Sequence, residues 1–155
     1  MVSAQQTIQS QGYEFVPDVP EVRLRAWGKT LRELFRNALK GMAAYLHAGV
    51  FDAALPGRKE RHAIKERHVI KVDAVDINTL LVAFLSEVIA RTDMHNVVFI
   101  NAAFKTFGEN FLEGDLTGVK VGEVEKEIKA ISYEDVDISH NKETGLYEAV
   151  LVFEV

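Results

Sequence analysis

The chain has 155 residues, of which 48% are hydrophobic and 26% charged, and its formal net charge is −5. That is enough chain for one sizeable core and too apolar a composition for a disordered protein, while the acidic balance excludes a general attraction to nucleic acid, so any RNA contact must be local or shared with a partner. No cysteine is present, which excludes disulfides, cysteine–zinc clusters and thiol catalysis together.

Residues 1–11 are polar and glutamine-rich, without the charged n-region or apolar h-region of a signal peptide. Segment 1–12 is therefore expected to be disordered or extended, ahead of a single domain over 13–155. Tyr13 and Phe15, then Val22, Leu24 and Ala26, place apolar residues at every second position and predict two short strands. Between them Pro17-Asp18-Val19-Pro20 forces a break, because proline lacks an amide hydrogen and pushes the preceding residue toward extended geometry.

Thr30-Leu31-Arg32-Glu33 reads as a capping box. Leu31, Leu34, Phe35, Ala38, Leu39, Met42, Ala43 and Leu46 follow at helical spacing and predict a helix that ends near Gly49. Residues 58–67 form a basic loop, in which Arg58, Lys59, Arg61, Lys65 and Arg67 outnumber Glu60 and Glu66. Val69, Ile70 and Val72 predict a strand, after which Asp76 or Asn78 can cap a second helix with the stripe Ile77, Leu80, Leu81, Phe84, Leu85, Val88 and Ile89. Its apolar stretch, 77–90, is interrupted by Asn78, Thr79, Ser86 and Glu87 and is too short and too polar to span a bilayer. A cytoplasmic protein without membrane contact is expected.

Residues 97–107 are β-branched and aromatic and predict a strand; 111–119 predict another, weakened by Gly114 and Gly118. Residues 123–130 fit a helical turn or a strand. Segments 136–138 and 147–155 flank the polar turn 140–145 as a hairpin. In the last strand Tyr147, Ala149, Leu151, Phe153 and Val155 share one face, and Glu148, Val150, Val152 and Glu154 the other. The expected architecture is α+β in two layers, two helices packed on a mostly antiparallel mixed sheet.

Catalytic templates are missing: no nucleophile elbow, no phosphate-binding glycine loop, no zinc-protease helix motif and no dinucleotide fingerprint. His47, His62, His68, His95 and His140 lack ligand-like spacing and read as surface or edge residues. Among the acids, Asp18 and Glu21 adjoin the proline turn, and Glu154 is penultimate on a largely apolar strand. If the first and last strands are neighbours, these acids could converge on a hard cation such as calcium or magnesium. The plainer alternative is that Glu154 reaches solvent at the chain end. The basic loop could touch phosphates or simply be solvated; with no aromatic residue among its cations it offers no stacking platform.

Several segments together resemble the archease family. They are Tyr13-Glu14-Phe15, the run from Glu21-Val22-Arg23-Leu24-Arg25-Ala26-Trp27-Gly28 through Lys29-Thr30-Leu31-Arg32-Glu33-Leu34-Phe35, and Asn37-Ala38 with Gly41-Met42. Asp76 with Leu80-Leu81-Val82 and Phe84-Leu85-Ser86-Glu87, then Glu127-Ile128-Lys129-Ala130-Ile131-Ser132-Tyr133, and finally Val152-Phe153-Glu154-Val155, extend the likeness from about residue 13 to the end. There are departures. The family's usual His-Thr-Ala-Asp is Asp18-Val19-Pro20-Glu21 here, its penultimate aspartate is Glu154, and the histidine that follows its Thr-Tyr pair is Glu134.

The resemblance implies a protein cofactor rather than an enzyme, one that assists an RNA-splicing ligase by promoting its guanylylation and multiple turnover. It further implies a divalent cation, calcium ahead of magnesium, on Glu21 and Glu154 with Asp18 and Glu134 as further ligands. RNA contact would be indirect or through the basic loop 58–67. Two alternatives remain open: a metal-independent, chaperone-like binding module for RNA-modifying enzymes, and a metal-dependent hydrolase, for which no poised base stands out.

Overall fold

In a computed structural model of the protein, residues 11–17, 19–53 and 65–155 are described. The first helix, α1 (Leu31–Leu46), forms where the capping box and apolar stripe predict it. Thr30 keeps extended backbone, and its hydroxyl accepts the Glu33 amide hydrogen at 3.1 Å. The Glu33 carboxylate accepts from the Lys29 amide at 3.2 Å, one residue earlier than in the usual box. A four-residue helical turn, α2 (Val50–Ala53), follows. The long helix α3 (Ile77–His95) is capped by Asp76, whose carboxylate accepts the Thr79 amide at 2.8 Å. The other candidate cap, Asn78, instead accepts the Ile138 amide at 2.8 Å and ties the helix to a distant loop.

The strands are β1 (Tyr13–Phe15), β2 (Val22–Gly28), β3 (Lys65–Asp73), β4 (Val97–Phe107), β5 (Phe111–Lys120), β6 (Ala130–Ile131), β7 (Ser139–Asn141) and β8 (Leu146–Glu154). Residues 123–129 carry no strand or helix, and the final hairpin begins at Ser139 rather than in 136–138. The α+β class and the antiparallel pairing hold, and the strands divide between two sheets. One has the order β1-β2-β8-β6 with β7 also on β8, the other β3-β5-β4, and every described pair is antiparallel. β2 lies against β8, from Val22 opposite Phe153 to Gly28 opposite Tyr147.

α1 joins the sheets, packing on β2 of the first and β4 of the second. Its fully buried Phe35 meets Phe107 edge to face at 4.9 Å and Phe84 of α3 at 5.8 Å, while Phe84 meets Phe104 at 5.6 Å. This cluster of four rings ties both main helices to β4. Arg36 donates to the Ala102 carbonyl at 2.9 Å, so α1 also covers an otherwise open edge of β4. No helix among the described residues is long and apolar enough to cross a membrane.

Candidate functional site

Glu21 and Glu154 lie at the same end of the β2–β8 pairing. Val22 opposite Phe153 is its last register pair, with Glu21 in the bend just before β2 and Glu154 the final residue of β8. On the inward face Leu24, Ala26, Ala149, Leu151 and Phe153 are buried. Side chains alternate along a strand, so Glu154 projects to the outer face, where it is exposed; Glu21, in the bend before β2, is about a third exposed. The expected pairing of faces in the last strand holds. The acid therefore lies on the wet face, and the cost of burying a carboxylate does not arise for Glu154.

Glu21 has a partner that its spacing alone did not identify. The Nε of Arg23, two residues on and on the same face, donates to its carboxylate at 2.8 Å, and a terminal guanidinium nitrogen reaches the same oxygen. The Arg23 hydrogen bond, aided by the Glu21 backbone amide, holds the Glu21 carboxyl below the usual carboxylate range. Farther along the same face Arg25 bridges Glu14 at 3.1 Å and Glu148 at 2.6 Å, and its guanidinium lies 4.7 Å from the Trp27 ring centroid. Glu21, Arg23 and Arg25 at every second position were the available sequence signal for this ladder.

The remaining two expected ligands are placed differently. Asp18 lies outside the described residues, as do Arg58, Lys59 and Arg61 of the basic loop. Glu134 is exposed in the loop after β6, where its amide donates to the Ser132 hydroxyl at 3.3 Å. β6 pairs Ala130 with Glu154 and runs antiparallel to β8, so each residue beyond Ala130 moves away from Glu154. Among the described residues no three histidine, aspartate or glutamate side chains gather to hold a metal. The carboxylate oxygens of Glu21 and Glu154 are of the donor type that a hard cation takes.

Of the basic stretch, Lys65 and Arg67 belong to β3, and Arg67 pairs with Asp115 across to β5 at 2.7 Å. The histidines are not all peripheral. His68 is half-buried, with Phe99 at 5.0 Å and His95 at 4.9 Å between ring centroids, and it contacts Glu66 at 3.2 Å.

The chain matches the model of the Archease protein family (MTH1598/TM1083) over residues 13–155. It is 24% identical over 155 residues to the protein archease of Methanosarcina mazei, spanning 95% of this chain and 98% of that one. The fold is similar to the solution structure of Methanobacterium thermoautotrophicum protein 1598, with a TM-score of 0.66 at 20% identity over 94% of this chain and 99% of that one. It is also similar to the crystal structure of a Thermotoga maritima archease described as a possible chaperone, with a TM-score of 0.57 at 13% identity over 92% and 99% of the two chains. With its signature segments and its two-sheet fold both matched over nearly the whole length, the chain belongs to the archease family.

Proposed function

We propose that the protein is a non-enzymatic accessory factor that activates an RNA-splicing ligase, promoting its guanylylation and multiple turnover. The observation that supports this reading most is that Glu21 and Glu154 flank the same end of the β2–β8 pairing, with Glu154 exposed and Glu21 partly so. Family membership supports the same role. In this reading Glu21 and Glu154 hold a divalent cation, with Asp18 as a further oxygen donor; Glu134, which the resemblance also suggests, is led away from Glu154 by β6. Exposed, adaptable glutamates suit the loose coordination of calcium better than the strict octahedron of magnesium. When bound, the cation supplies positive charge at the docking face. Arg23 keeps Glu21 ionised and aligned, and it would yield part of its hold on the carboxylate as a cation enters.

The test is RNA ligation at limiting ligase. Addition of this protein is expected to raise the number of turnovers per ligase, and an unchanged turnover number would refute the role. The second reading, a metal-independent chaperone-like module for RNA-modifying enzymes, draws on the engagement of Glu21 by Arg23 and on the description of the Thermotoga maritima archease as a possible chaperone. Calorimetric titration with calcium and then magnesium separates the two: saturable heat favours the cation reading, and none favours the chaperone-like one. A cytoplasmic setting fits either.

A further inference from the structure

At the opposite end of β2 from the acid pair, a cavity of about 620 Å³ opens between Gly28, α1 and the final hairpin. Eight residues separate Glu21 from Lys29, roughly 25 Å of extended chain, so this is a separate place on the molecule. Its charged lining is Lys29, Arg36 and Lys40 against the single carboxylate of Glu33. These four share one side of α1 and its entry, at spacings of four, three and four residues.

The carboxylate is already engaged by the Lys29 amide in the helix cap. Arg36 is fixed in the wall by its Nε bond to Ala102 and by Phe104, whose ring centroid lies 5.8 Å from the guanidinium carbon. Among the described residues neither the Lys29 nor the Lys40 ammonium has an ion-pair partner. A chain of net charge −5 thus concentrates positive charge in one concave place.

A second cavity, of about 390 Å³, shares Gln11 and Lys40 with the first and is otherwise walled by Tyr13, Phe51, Ile100 and Asn101. The two adjoin at these shared residues, the first lined by cations and the second walled by two rings. The basic stretch 58–67 lacked this pairing of charge and ring. A groove that tracks phosphates with lysine and arginine while offering rings to planar bases is the chemistry of single-stranded nucleotide recognition.

We infer that this groove binds a nucleotide phosphate, with Lys29, Arg36 and Lys40 on the phosphate and Tyr13 and Phe51 against the base. The phosphate can come from a free nucleotide or from a single-stranded RNA segment, and the two sources are separable. Anisotropy of a labelled pentauridylate and calorimetry with uridine monophosphate measure the two arms at low salt, with circular dichroism confirming that each variant is folded.

Binding in either arm is expected to weaken at least tenfold in Lys29→Glu/Lys40→Glu. Pentauridylate binding alone should fall along a log–log salt slope of about −0.7 per contacted phosphate. Phe51→Leu, which keeps an apolar side chain but removes the ring, is expected to weaken nucleotide binding about fivefold or more while leaving competition by inorganic phosphate unchanged. Absence of binding in both arms overturns the inference, as does binding indifferent to the double charge reversal. Loss of phosphate competition in Phe51→Leu contradicts the division of labour within the groove.

Discussion

The two ends of β2 are built on opposite plans. At the start, Glu21 sits in the bend just before the strand, its side chain is partly in water, and its partner is an arginine two residues away. At the finish, Gly28 is wedged against α1, where an added Cβ would lie 2.6 Å from the Leu34 amide nitrogen and 2.9 Å from the Glu33 carbonyl carbon. Beside it the buried Asn37 donates to the Trp27 carbonyl at 2.7 Å. The first end contributes little to the packing of the core. The second packs strand against helix, backbone against backbone.

That contrast can be broken at its strongest point first. Gly28→Ala is expected to lower stability by about 2–3 kcal/mol, because the new methyl meets backbone rather than a movable side chain; a chemical-denaturation midpoint indistinguishable from wild type would show that the wedge is slack. Asn37→Ala is expected to cost about 1–2 kcal/mol through loss of a buried hydrogen bond, read in the same denaturation curves. At the other end Glu21→Gln and Glu154→Gln should each leave the denaturation midpoint close to that of wild type, as surface substitutions do. A large loss there would mean that the acids are structural.

The smallest effect concerns the Glu21 titration. Its folded pKa is held below the ordinary carboxylate value chiefly by Arg23, so the pair's contribution is present above that ordinary value and is lost as pH falls through the lowered one. NMR titration should find Glu21 below the usual range and Arg23→Ala should return it upward. A titration that does not respond to Arg23→Ala would remove the arginine from the site.

Much of the scaffold was legible because local rules governed it. Thr30 and Asp76 cap their helices as their side chains require, and the stripe from Leu34 to Leu46 is the buried face of α1. The division into two sheets was not legible, since strands of either sheet show the same two-residue alternation and register depends on distant partners. Asn78 shows the limit of local reading: its amide oxygen, eligible as a cap, goes instead to Ile138, sixty residues away.

The acid pair was legible on the condition that the first and last strands adjoin; the first strand β1 pairs with β2, and it is β2 that lies against β8. Glu134 entered by resemblance, and the run of β6 leads away from Glu154 rather than toward it. The groove was hidden because its cations sit on the α1 side while Phe51 and Ile100 arrive from α2 and β4. The repeat of Lys29, Arg36 and Lys40 on one helix side was its only local trace.

The most direct measurement is multiple-turnover RNA ligation by an RNA-splicing ligase at limiting enzyme, with wild-type protein compared against Glu21→Gln/Glu154→Gln in the presence of calcium. The account predicts that wild type raises the turnover number and that the folded double variant fails to do so. Equal stimulation by the two proteins would contradict it.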